Sequence, residues 1–185
     1  IPFGNYYLDY KVNNDKTFPQ KIYDKISSFK KIILISHQYS IEKKLFHIVK
    51  KLSEQFKDVG FVISLRGGKG GNINKKNIII FDDIDIYDVM KVCNLHISVY
   101  STCILESLYL GVPNIIININ QISKHFLSDI IEPSINVHYC NTTDEIIDTI
   151  NDWPFENTLK IKLKYDYLFC SNQTDQIKKH VESLK

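Results

Sequence analysis

The sequence predicts a doubly wound α/β fold with a parallel six-stranded sheet, and three observations predict it. Short apolar runs of strand length recur six times, at 31–36, 60–65, 77–81, 95–99, 114–118 and 135–139. Segments whose apolar residues fall three and four apart separate most of them. The runs are apolar on both faces more than they alternate, which marks strands buried on both sides, with helices on each side joined by right-handed crossovers.

Taken in order, residues 1–16 are polar and aromatic, with turn signals at Gly4-Asn5 and Asn13-Asn14-Asp15, and read as a linker or sheet edge. Over 17–29, Phe18, Ile22, Ile26 and Phe29 have helical spacing and Pro19 sits in the first turn, so a short amphipathic helix is expected. Residues 1–30 are therefore an interdomain linker and short helix, and 31–185 the domain proper. The strand at 31–36 leads into 40–56, where Leu45, Ile48, Val49 and Leu52 form one apolar stripe. After strands 60–65 and 77–81 comes a helix over 85–93 capped by Asp85.

The central stretch is 95–113, where a strand at 95–99 feeds a helix over 102–110. Cys103, Ile104, Leu105 and Leu108 give that helix its spacing, Ser101 is a good N-cap, and Gly111 followed by Pro113 stops it. A strand at 114–118, a helix at 122–131, a strand at 135–139 and a helix at 142–151 complete the alternation. Over 153–169, Leu159, Ile161, Leu163, Tyr165 and Tyr167 alternate like a strand, while the fold wants a helix, and both readings stand. Residues 172–184 read as a closing helix.

At 185 residues the chain suits one domain with a real core. Its first residue is Ile1 and not Met, so a piece of a longer protein is expected. With 23 basic against 21 acidic residues and a net charge of +2, it lacks the field that nucleic-acid binding wants, so no nucleic-acid partner is implied. Cys93, Cys103, Cys140 and Cys170 lack metal-type spacing and read as reduced thiols of a cytoplasmic protein. No apolar run reaches membrane-spanning length, and no signal peptide is visible.

In a sheet of order 3-2-1-4-5-6, ligands bind beyond the carboxyl ends of the strands, where the order reverses between the first and fourth. That places the loop Ser36-His37-Gln38 opposite Tyr100-Ser101-Thr102. The turn before the helix at 102–110 aims free N–H groups and a positive dipole end at the crevice, where phosphate is the usual guest. Glu106, one turn further in on the same face as Thr102, is either a solvated first-turn acid or an acceptor for two hydroxyls of a ribose. His37 is either polar loop filler or a charged donor, acid or base. Beside them, Arg66-Gly67-Gly68-Lys69-Gly70-Gly71-Asn72 holds four of the seven glycines and the only arginine. This is either a solvated loop or a site where a planar bidentate donor meets phosphate. It is no P-loop, since Lys69 is followed by Gly70, and the first strand-helix turn has no glycine, which weighs against a kinase or an NAD enzyme. His96, inside a strand, reads as a satisfied interior residue; His125 and His138 lack partners at metal-ligand spacing. Asp82 and Asp83 read as helix-capping residues beside a backbone that could meet a nucleobase edge.

The run from Asp85 to Pro113, Asp-Ile-Tyr-Asp-Val-Met-Lys-Val-Cys-Asn-Leu-His-Ile-Ser-Val-Tyr-Ser-Thr-Cys-Ile-Leu-Glu-Ser-Leu-Tyr-Leu-Gly-Val-Pro, resembles the carboxyl-terminal half of GT-B fold glycosyltransferases of bacterial capsule and surface polysaccharides. It is similar also to bacterial sialyltransferases and UDP-N-acetylglucosamine 2-epimerases. Ile1-Pro-Phe-Gly-Asn-Tyr-Tyr-Leu-Asp9 resembles the interdomain link of such enzymes. The resemblance implies a Rossmann-like, nucleotide-sugar donor-binding half, with Ser101 and Thr102 on the donor phosphates and Glu106 on the ribose. Gln38, Tyr100, Arg66 and Gly67 would complete the donor site and His37 would be the catalytic candidate. Where those families often carry His-Pro after the second strand, this chain has Arg66-Gly67. The resemblance further implies an amino-terminal acceptor domain lying before Ile1, a cytoplasmic location at the inner face of the membrane with peripheral association of the full-length protein, and no cofactor or metal. An isolated donor half is expected to be inactive. The alternative is a 2-epimerase-like or non-catalytic nucleotide-binding domain; an epimerase should gather several acid-base groups, and only His37 and Glu106 stand near the crevice.

Overall fold

In the computed structural model, which describes residues 5–13, 20–65, 73, 75–169, 179, 182 and 183, six strands form one parallel sheet. They are β1 (Lys31–Ser36), β2 (Val59–Ser64), β3 (Ile78–Phe81), β4 (Leu95–Ser98), β5 (Asn114–Ile117) and β6 (Val137–Cys140). Their order is β3-β2-β1-β4-β5-β6 and every pairing is parallel. The direction of winding thus reverses between β1 and β4, as expected of a doubly wound sheet of buried, mostly apolar strands joined by helical crossovers.

The helices are α1 (Tyr6–Asn13), α2 (Gln20–Ile26), α3 (Glu42–Gln55), α4 (Ile86–Met90), α5 (Cys103–Tyr109), α6 (Ile122–Leu127), α7 (Thr143–Asp152) and α8 (Thr158–Tyr165). Alternate strand residues separate to two faces. On one, Ile33, Ile35, Phe61, Ile63, Ile97 and Ile115 pack against the apolar stripe of α3 and against Ile146 and Ile150 of α7. On the other, Ile32, Leu34, Val62 and Ile79 meet Leu8 of α1, Ile22 and Ile26 of α2, and Tyr87, Val89 and Met90 of α4. Ile116 and Val137 meet Ile104 and Leu108 of α5 together with Leu127, Ile161 and Tyr165. Asp85 caps α4 by accepting from the Tyr87 N–H at 3.0 Å, and none of the described helices is long and apolar enough to cross a membrane.

The structure departs from the sequence reading in four places. Residues 6–13, read as linker or edge, are a helix whose N-cap is Asn5: its Oδ1 accepts from the Leu8 N–H at 3.1 Å. The ambiguous stretch contains α8, because Ile161 and Tyr165, four apart, are buried while Leu159 and Leu163 point to solvent at 67% and 68% exposure; the strand-like alternation mixes the two sides of a helix. The strand expected at 135–139 starts at Val137, since Ser134 and Val137 exchange backbone hydrogen bonds in a tight turn ahead of it. The helix expected over 122–131 ends at Leu127 and follows a turn in which Asn120 and Gln121 adopt left-handed backbone, φ 52° and 62°. The glycine-rich stretch and the closing helix read at 172–184 lie outside the described residues, apart from Lys179, Glu182 and Ser183.

Candidate nucleotide site

The loops after β1 and β4 not only face each other but are stitched together. Gln38 acts as a strand would: its Nε2 donates to the Tyr100 carbonyl at 2.9 Å and its Oε1 accepts from the Tyr100 N–H at 3.4 Å. The Ser40 and Tyr100 hydroxyls meet at 2.5 Å. Ser36, His37, Gln38, Tyr39, Ser40, Tyr100, Ser101 and Thr102 thereby line one open cleft of about 590 Å³. Ser101 Oγ accepts from the Cys103 N–H at 3.3 Å and so helps to start α5, while the Thr102 side chain makes no capping bond. A slightly larger hollow, about 640 Å³ between residues 128–134 and the end of α8, holds none of the expected site residues and lies away from the switch point.

His37 lies at the cleft with its ring turned inward. Its side chain is fully buried, stacked on Phe46 with centroids 5.8 Å apart, and Nε2 sits 3.1 Å from Glu42 Oε1. Glu42, five residues on in the first turn of α3, is only 27% exposed; sequence reasoning did not single it out, although its spacing from His37 is the signal that would have found it. Nδ1 of His37 has no partner.

Glu106 is no solvated acid. It is 7% exposed and its Oε1 accepts from Asn5 Nδ2 at 2.9 Å, while Oε2 is buried without a hydrogen bond. It does not line the cleft but lies one helical turn inward from Thr102, whose carbonyl accepts from the Glu106 N–H. Beside it the Tyr87 hydroxyl is kept protonated, its pKa raised first by burial and then by the Glu106 charge.

Among the described residues, three buried side-chain atoms lack a hydrogen-bond partner: His37 Nδ1, Ser98 Oγ and Glu106 Oε2. All three belong to the end of β4 or to segments that directly follow β1 and β4. Buried polar atoms are rarely left unpaired, and these three lie in the segments that end or follow β1 and β4, His37 on the side of Phe46 and Glu106 on the side of Tyr87. Behind them the sheet interior is satisfied. His96 accepts from Ser36 Oγ at Nε2, 2.6 Å away, and donates from Nδ1 to Asn114 Oδ1 at 2.7 Å. Burial pushes its pKa down to about 4, against the smaller upward pull of Asn114, which keeps the ring neutral. It is the satisfied interior residue that its place in a strand predicts. Arg66 and Gly67, expected on the donor phosphates, lie outside the described residues.

The architecture superposes on solved epimerase and glycosyltransferase structures over 85–100% of the chain. The Methanocaldococcus jannaschii UDP-GlcNAc 2-epimerase, in complex with UDP-GlcNAc and UDP, matches 100% of this chain at 12% identity with a TM-score of 0.68. The fold is that of a GT-B half. The Streptomyces nogalater glycosyltransferase SnogD matches 85% of the chain at 15% identity and TM-score 0.59. The wall teichoic acid polymerase TagF, soaked with CDPG, matches 96% at 17% identity and TM-score 0.59. This chain covers 55%, 45% and 49% of those three proteins, about half of each. No protein-family model and no curated protein sequence matches it. In GT-B terms, the cleft between β1 and β4 is the switch point of the half to which this chain corresponds.

Proposed function

We propose that this chain is the nucleotide-sugar donor half of a glycosyltransferase of bacterial surface polysaccharide synthesis, such as a capsule. The observation that carries the reading is the cleft at the reversal between β1 and β4, lined by the loops that follow both strands and flanked by segments that hold the unpartnered buried atoms His37 Nδ1, Ser98 Oγ and Glu106 Oε2. Glu106 Oε2 is an acceptor awaiting a hydroxyl, which suits a ribose. Ser101 and Thr102, at the rim of the same loop, suit the donor phosphates. Gln38 and Tyr100 form the wall that holds the two loops in register, and Arg66 and Gly67, outside the described residues, are assigned to the donor phosphates from the sequence. His37, paired with Glu42, is assigned the proton-transfer role, which its buried, inward-turned ring takes up only by turning toward the cleft. The acceptor and the other wall of the cleft belong to a second domain of the kind that makes up the rest of the GT-B neighbours.

A 2-epimerase half is the second reading, favoured by the M. jannaschii epimerase having the highest TM-score of the three superpositions, 0.68 against 0.59 and 0.59. It asks for more acid-base groups at the cleft than His37 and Glu42 supply. A thermal-shift series with UDP, CMP, GDP and their sugars tests the shared core of both readings. One ribonucleotide class should raise the Tm with concentration, as any ligand that prefers the folded state must. A flat response to every nucleotide overturns the proposal.

A further inference from the structure

Burying a carboxylate is costly unless hydrogen bonds replace its water. Glu106 meets that cost from an unexpected source, the segment ahead of the first strand. Asn5 Nδ2 carries two hydrogens: one goes to Glu106 Oε1 and the other to the Tyr87 hydroxyl, each at 2.9 Å. Its Oδ1 accepts from the Leu8 N–H at 3.1 Å. With every polar atom of the amide engaged, its orientation is fixed, because a flipped amide would turn its oxygen toward a carboxylate and its NH2 toward an N–H donor. The helix that Asn5 caps is in turn fastened to α4. Tyr7 donates its hydroxyl hydrogen to Asp85, and Lys11 pairs with Asp85 and Asp88 at 3.0 Å each. Leu8, 1% exposed, locks the same helix into the core.

We propose that Asn5 and Tyr87 are positioning residues for ribose recognition: Asn5, braced by the Tyr87 hydroxyl, holds Glu106 by Oε1 and leaves the buried Oε2 without a partner, to be met by a ribose hydroxyl. This inference rests on the nucleotide reading above and goes beyond it by giving the amino-terminal segment a part in choosing the sugar of the nucleotide. It distinguishes a merely buried acid from an aimed one. A carboxylate free to rotate could satisfy itself on Asn5 or Tyr87 with either oxygen, and would not insist on a hydroxyl from the ligand.

The test compares affinities of the full 185-residue chain for ribo- and 2′-deoxyribonucleotides, using UDP against 2′-deoxy-UDP and CMP against 2′-deoxy-CMP. Asn5→Ser removes the amide donors while serine still caps the helix, and Tyr87→Phe removes the hydroxyl and keeps the ring. Wild type should favour the ribonucleotide by about tenfold or more, the worth of one charge-assisted hydrogen bond. In either variant that ratio should fall toward one, while affinity for the 2′-deoxy form stays within about twofold, since that form never used the missing contact. A variant that weakens both nucleotides by the same factor, or leaves the ratio intact, reduces Asn5 and Tyr87 to packing and overturns the inference while leaving the ribose reading of Glu106 standing. A wild type with no preference for ribose overturns both.

Discussion

Two buried ionisable residues beside the crevice behave oppositely, and each makes a separate prediction. Glu106 is 7% exposed with one oxygen unpaired, so Glu106→Gln should weaken ribonucleotide binding by about 1–3 kcal/mol, the cost of an incomplete charge-assisted hydrogen bond. Calorimetry on the two proteins checks it, and equal affinity would return the residue to a structural role. His96 is fully paired and neutral, its pKa pushed down to about 4 by burial. The unfolded chain takes up a proton near pH 6.5, well above the folded one. Its stabilising contribution is therefore complete above about pH 6.5, and about 3 kcal/mol of it is lost between pH 6.5 and 4, below which no more goes from this group. Denaturant midpoints of wild type and His96→Gln across that interval should converge as pH falls; parallel curves would contradict the assignment. His96 was legible as an interior residue because it interrupts an apolar strand. The burial of Glu106 was not, because its hydrogen-bond partner, Asn5, lies 101 positions away and nothing local to either residue announces the other.

At the scale of elements, the strands were legible to within two residues, because burial on both faces leaves runs that are mostly apolar, with the few polar residues paired inside the sheet, as His96 and Asn114 are. The helix α1 was not legible. Among its described residues Leu8 and Asp9 are buried, and it is held by ion pairs and a hydroxyl contact to the start of α4 that no local pattern reveals. Gly111 shows the reverse case. Its place after α5 reads as a stop, and the structure adds the reason for glycine: φ is +85°, and a Cβ would lie 2.5 Å from the Thr158 carbonyl oxygen at the start of α8. Gly111→Ala should cost about 2 kcal/mol or more through strain and the separation of α5 from α8, measured as a lowered denaturant midpoint. An unchanged midpoint would mean that the approach of α8 to α5 is not tight. Because α5 carries Ser101, Thr102 and Glu106 at or near its start, the same change should also weaken nucleotide binding.

For the molecule as a whole, the topology located the candidate site before any side chain was placed: reversal of strand order between β1 and β4 brings Gln38 and Tyr100 within hydrogen-bond distance, 62 positions apart in the chain. Which atoms are left over there was beyond the sequence, since an unpaired atom is a property of all its neighbours at once. The cleft is open to solvent, so the chain should bind a nucleotide in competition with water and transfer no sugar. Sugar release from UDP- and CMP-sugars in the presence of candidate acceptors checks this, and turnover at an ordinary enzymatic rate would place the whole catalytic apparatus within these 185 residues, His37 first among the suspects. The central claim, that the switch point between β1 and β4 is where a nucleotide binds, is tested most directly by a backbone amide NMR titration with whichever of UDP, CMP or GDP raises the Tm most. The account predicts that the largest shifts fall on residues 37–40, Tyr100, Ser101, Thr102 and Glu106. Shifts concentrated instead at residues 128–134 and the end of α8 would contradict it.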